Sequence, residues 1–130
     1  MVVDSSAIIA VLFREPEAFS IARALSKAPL RRISPVNALE TSMVMEARKG
    51  ERGGEELDAF FARSEIEIFP MNAEQWEIAR SAWRSFGKGR HPAGLNMGDC
   101  CAYALAKYLD EPILFKGNDF VKTDLKSVVY

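Results

Sequence analysis

The chain has 130 residues, 48% of them apolar and 27% charged, and a net charge of −1. That size and balance suit one globular domain over residues 1–130, and exclude a disordered tail, a fibre or a uniformly basic nucleic-acid binder. No apolar run approaches the ~18 residues of a membrane span, and no basic, cleavable leader opens the sequence. Two adjacent cysteines and one histidine leave no thiolate or imidazole metal site, so any metal here must be held by oxygen. The expected setting is a reducing cytoplasm, with Cys100 and Cys101 as small core residues.

In chain order, Met1–Asp4 reads as a short buried strand and Ser5–Phe13 as a helix. Pro16 opens a second helix carrying Phe19, Ile21, Ala22 and Leu25. "RRIS" is a second strand; Pro35 starts a helix over Val36–Lys49 that stops at Gly50. "ERGGEELDAFFARS" carries a helix after its glycines, and "IEIF" alternates as a strand that Pro70 ends. Asn72 caps a helix from Ala73 to Phe86, with Trp76, Ile78, Ala79 and Trp83 at its apolar positions. "GKGRHPAG" is a loop. "GDCCAYALAKYL" is apolar nearly all round, as a central buried helix is. "PILF" is a fourth strand, "KGNDF" a turn and "SVVY" a candidate fifth strand. Strands alternating with helices imply parallel pairing, because parallel neighbours need crossovers. The predicted fold is a three-layer α/β/α sandwich around a mostly parallel sheet of four or five strands.

Four acids stand at or near strand ends and early helix turns, where open α/β sheets place their ligand crevice. Asp4 ends the first strand, Glu40 lies early in the third helix, Asp99 begins the buried helix, and Asp119 follows the fourth strand. Each also has an ordinary reading. Asp4 and Asp99 suit helix caps or first-turn acids, and Asp119 a plain turn. Glu40 shares a helical face with Val36, Met43, Val44 and Ala47, a stripe expected to be buried. Carboxylates brought together repel unless a cation neutralises them. Oxygen ligands suit Mg²⁺ or Mn²⁺, ions that commonly serve phosphodiester hydrolysis. Ser6 is either a helix-start serine or a hydroxyl that orients a metal-bound water.

From Ile78 to Gly98 there is no acid, while Arg80, Arg84, Lys88, Arg90 and His91 fall there. Arg84, Lys88, Arg90 and His91 are candidates for RNA phosphate contacts; the stretch also reads as a solvated basic face. "AIIAVLF", "LDAFFA" and "WEIARSAW" carry more large side chains than a short sheet can cover, which invites a second copy or an amphipathic partner helix.

The order of Asp4 in "VVDSSAI", Glu40 in "NALETSMVMEAR", Asp99 in "LNMGDCCAYALAK" and Asp119 in "ILFKGNDFVKTD" resembles the PIN domain, over Met1 to about Lys126. More closely it resembles the VapC-type toxins of bacterial toxin–antitoxin systems. The resemblance implies a toxin with Mg²⁺-dependent endoribonuclease activity, a metal held by Asp4, Glu40, Asp99 and Asp119, and an RNA substrate. It further implies a homodimer and a VapB-like antitoxin that holds the enzyme inactive. One position departs from the pattern: many members carry an aspartate where this chain has Gly117, so a second metal position depends on Asp119, helped by Asp124. Other readings are a catalytically silent or regulatory protein-binding domain, a receiver-like domain, and an aspartate-nucleophile phosphatase. The receiver wants an aspartate where "IEIFPMN" has none, and the phosphatase an acid where Ser6 stands.

Overall fold

The computed structural model describes residues 1–130. Its sheet has four strands, β1 (Val2–Val3), β2 (Arg31–Ile33), β3 (Ile66–Ile68) and β4 (Ile113–Leu114), in the order β3-β2-β1-β4. Every pairing is parallel, with Val2 opposite both Arg32 and Ile113, Val3 opposite Leu114, and Ile33 opposite Ile68. Helices α1 (Ser5–Leu12) and α2 (Ala18–Lys27) lead from β1 to β2, and α3 (Pro35–Lys49) and α4 (Glu51–Arg63) from β2 to β3. Helices α5 (Ala73–Phe86) and α6 (Met97–Leu109) carry the chain back past β1 to β4.

Parallel crossovers are right-handed, so reversing the direction of travel across the sheet moves the connecting helices to its other face. The two cores follow that rule. Val3 and Leu114 pack with Ile8, Ile21, Met45 and Phe60 of α1–α4, while Val2 and Ile113 pack with Ala79, Ala82, Tyr103 and Leu105 of α5 and α6. This is the predicted α/β/α sandwich. The reversal falls between β1 and β4, and loops leaving their carboxyl ends diverge to opposite faces, opening a crevice. The helix over α6 is buried as expected, with every residue from Gly98 to Ala106 inside.

The structure departs from expectation in four places. "SVVY" forms no strand: only Ser127 bridges to Ile113, because β4 is two residues long and offers little edge. Helix α4 begins at Glu51, before its glycines, and Gly53 explains why. A Cβ there would lie 2.3 Å from the Met45 carbonyl oxygen, so the glycine lets α4 press against the α3 backbone. On α3 the buried side is Asn37, Ala38, Thr41 and Met45, whereas Met43 on the expected stripe is 64% exposed. Finally, "AIIAVLF" is largely covered, since Ala7, Ile8, Ala10 and Leu12 are all buried; the rings left in solvent include Phe19 on α2 and Trp76 and Trp83 on α5.

Candidate active site at the carboxyl ends of β1 and β4

Asp4 follows β1 directly, and its backbone N–H donates to the Leu114 carbonyl at 2.9 Å, which fixes it beside β4. Its side chain caps α1: Oδ2 accepts from the Ser6 N–H at 3.0 Å and the Ser6 hydroxyl at 2.6 Å. The same hydroxyl accepts from the Lys116 N–H at 3.0 Å. The Ser6 proton is therefore spent on Asp4, and the hydroxyl ties that carboxylate to the exit of β4. Asp99 sits in the first turn of α6 within a capping box: the Asn96 N–H donates to Asp99 Oδ2 at 3.0 Å, and the Asp99 N–H to Asn96 Oδ1 at 2.9 Å. Capping and site formation are thus one arrangement. Each helix start holds one carboxylate oxygen; the other oxygen of Asp99 has no hydrogen-bond partner, and that of Asp4 faces the Asn37 amide at 3.5 Å.

Glu40 enters from α3 against the start of α6. A Cβ on Gly98 would come within 2.9 Å of Glu40 Oε2, so glycine leaves the room this carboxylate occupies. Asp119 stands exposed in the turn after β4. The four acids share one field. Burial pushes the Asp4 carboxyl up to about 6 against the lowering pull of the Ser6 hydrogen bonds, and the charges of Glu40 and Asp119 raise it further. Burial likewise pushes Asp99 up to about 7, opposed by the Asn96 N–H and reinforced by Asp119, Asp4 and Glu40.

Sequence reasoning passed over Asn37, which ties these pieces together. It is fully buried near the start of α3, where Ser34 caps the helix through the Asn37 N–H at 3.1 Å. Its amide donates to the Gly98 carbonyl at 3.0 Å and lies 3.4 Å from Ser5 Oγ and 3.5 Å from Asp4 Oδ1. One side chain so joins the starts of α1, α3 and α6. The available signal was its spacing, one helical turn before Glu40 on the same face.

The donor set fits a hard divalent cation. Every ion pair in the molecule lies elsewhere, and none neutralises Asp4, Glu40, Asp99 or Asp119. No three acidic, cysteine or histidine side chains close into a ready-made metal cage. An ion that keeps several of its own waters, as Mg²⁺ does, suits such an open arrangement.

The model of the PIN domain matches residues 1–126. This chain belongs to the PIN-domain family. It is 47% identical over 128 residues to a protein named Ribonuclease VapC30 from Mycobacterium tuberculosis, covering 98% of each chain. It is equally identical to a Ribonuclease VapC from Mycolicibacterium smegmatis, covering 98% of this chain and 99% of that one. The VapC group of PIN domains is therefore its place. Among solved structures, the M. tuberculosis toxin VapC20, described as cleaving the sarcin-ricin loop, superposes with a TM-score of 0.77 at 18% identity, covering 98% and 97% of the two chains. VapBC2 from Rickettsia felis, solved on a DNA fragment from its promoter, gives 0.76 at 14% identity with 98% and 96% covered. A toxin–antitoxin complex from Klebsiella pneumoniae gives 0.71 at 15%, with 95% and 92% covered.

Within the PIN frame, the remaining predicted site residues divide. Arg84, Lys88 and Arg90 are exposed on the end of α5 and the loop entering α6, which the Lys88 N–H to Leu95 carbonyl bond closes at 3.0 Å. His91 is half-buried: Nδ1 accepts from the Ala93 N–H at 3.0 Å and the ring meets Phe86 edge-on at 5.2 Å, so it shapes its own loop. Asp124 does not join the crevice. The Tyr103 hydroxyl and the Lys107 ammonium each reach it at 2.6 Å, and although burial opposes ionisation these bonds hold its carboxyl below the usual range. Both cysteines are free and buried, and burial pushes the Cys100 thiol up to about 11. No helix is long and apolar enough to cross a membrane.

Proposed function

We propose that this chain is the toxin of a toxin–antitoxin pair, a Mg²⁺-dependent endoribonuclease acting in the cytoplasm, with Mn²⁺ able to take the place of Mg²⁺. The observation that carries the reading is the group of Asp4, Glu40, Asp99 and Asp119 at the sheet's switch point, with no protein cation among them. These four would hold the metal, which when bound supplies Lewis acidity and a water of lowered pKa for attack on a phosphodiester. Ser6 fixes Asp4 and Asn96 fixes Asp99, so two carboxylates meet the ion already oriented. Arg84, Lys88 and Arg90, exposed at the end of α5 and in the loop entering α6, would take phosphates of the bound RNA.

The likeness to VapB–VapC complexes supports an antitoxin of the VapB kind as partner, one that would block the crevice until removed. Leu39, 61% exposed, and Met43 one turn later support a homodimer through α3. Light scattering tests that contact: a twofold mass is expected, lost in Leu39→Lys with Met43→Lys.

Incubation of the purified chain with end-labelled cellular RNA tests the activity. Cleavage is expected with Mg²⁺, none with chelator, and none from Asp4→Asn or Asp99→Asn although both remain folded. Undiminished cleavage by both variants would refute the site.

A further inference from the structure

Trp76, Arg80 and Trp83 recur at helical spacing, so they stand on one face of α5. Both rings are open to solvent, Trp76 at 52% and Trp83 at 43% exposure. Each carries a guanidinium over its plane: Arg80 lies 4.4 Å from the Trp76 ring centre, and Arg90 4.0 Å from that of Trp83. Beside them runs an open groove of about 540 Å³ that extends past Leu95 to Val36, Met97 and Cys100. Those last residues lie in the helix turns that carry the acids: Asp99 stands between Met97 and Cys100 in α6, and Val36 is one turn before Glu40 in α3. None of the four acids lines the groove itself, but its far end reaches these turns.

Its occupant has to satisfy two chemistries at once. A purely apolar partner leaves the cations without a role. A second copy packed there across a twofold axis would bring two basic stretches into one interface, with no acid between Ile78 and Gly98 in either to offset Arg80, Arg84, Lys88 and Arg90. Single-stranded RNA supplies phosphates for the cations and aromatic faces for the indoles. We infer that Trp76 and Trp83 form a stacking platform for unpaired bases next to the scissile phosphate, with Arg80 and Arg90 completing the stacks. The inference rests on the ribonuclease reading and adds a base-binding surface to it, so that the substrate is held by unpaired bases as well as by its phosphates.

Fluorescence anisotropy in chelator, where cleavage is off, tests it with labelled oligomers of roughly twelve nucleotides, within the span such grooves bind. Three probes are compared: a single strand, an abasic strand with the same phosphates, and a duplex. The native chain is expected to prefer the single strand to the abasic one about tenfold or more, the scale of one stacked base. Trp76→Ala with Trp83→Ala removes that preference, and Trp76→Phe with Trp83→Phe restores most of it. Equal binding of the single and abasic strands by the native chain overturns the platform. So does an unchanged preference in the double alanine variant; if that variant also loses a dimer by light scattering, the groove is a contact between copies. Native Mg²⁺-dependent cleavage with no base preference removes the platform alone. A native chain that neither cleaves nor binds any probe overturns the ribonuclease reading with it.

Discussion

Two regions meet at the first turn of α6 and are built by opposite rules. On one side Ser6 and Asn37 bond Asp4, Asn37 bonds the Gly98 carbonyl, and Asn96 and Asp99 cap each other in the same turn of α6, much of it buried. On the other, Trp76, Arg80, Trp83 and Arg90 touch through ring faces in open solvent. A buried polar network has no water to replace a lost partner, so each loss spreads to its neighbours. Exposed stacking can be altered one residue at a time. The acidic crevice should therefore fail as a unit, and the groove by degrees.

Asn37→Ala should break the crevice most. It strips a donor from the Gly98 carbonyl and from Asp4, with an expected stability loss of about 2 kcal/mol in denaturant titrations. Cleavage should fall by up to about a hundredfold, the scale for residues that orient metal ligands.

The pH dependence comes next. Burial pushes native Asp4 up to about 6 and Asp99 up to about 7, whereas the unfolded carboxyls keep their ordinary value of 3.8. Between those limits the native state holds protons that the unfolded chain has released, so in chelator stability should decline as pH rises from about 4 to about 7. Thermal unfolding should show a higher midpoint at pH 5 than at pH 8. Asp99→Asn should flatten that slope and stabilise the metal-free chain at pH 8 by on the order of 1 kcal/mol. Added Mg²⁺ should recover stability at pH 8 in the native chain and less in the variant. A metal-free native chain that is more stable at pH 8 than at pH 5 would contradict the burial of these charges.

Gly98→Ala sharpens the comparison, because it should separate activity from stability. Alanine suits a helix better than glycine by up to about 1 kcal/mol, so the unfolding midpoint should hold or rise. The new methyl displaces the Glu40 carboxylate, and cleavage should drop about tenfold if that carboxylate is a ligand. The smallest effect belongs to the exposed side. Arg84→Ala with Lys88→Ala should weaken every RNA alike and lower the salt slope of binding by about 1 to 2.

How much of this was legible follows the same division. Strand ends and helix starts are local in sequence, so Asp4, Glu40, Asp99 and Asp119 could be placed near one crevice before any fold was known. Asn37 was not legible, because a buried asparagine three residues after Ser34 reads as ordinary helix-start chemistry, and only packing shows that its amide reaches α1 and α6. Gly53 is the converse case: glycines that argue against a helix by propensity are required there by the approach of Met45. The tryptophans misled for a related reason. Helical spacing makes a stripe, and spacing alone does not say whether another element covers it. Asp124, close in sequence to Asp119, turned instead to Tyr103 and Lys107.

The most direct measurement is Mn²⁺ binding by calorimetry to the native chain, Asp4→Asn and Asp99→Asn at pH 8. Saturable binding of at least one ion per chain is expected, weakened at least about tenfold by either substitution, since each removes a charged oxygen ligand. Equal binding by all three proteins, or none by the native chain, would contradict a metal centre at the ends of β1 and β4.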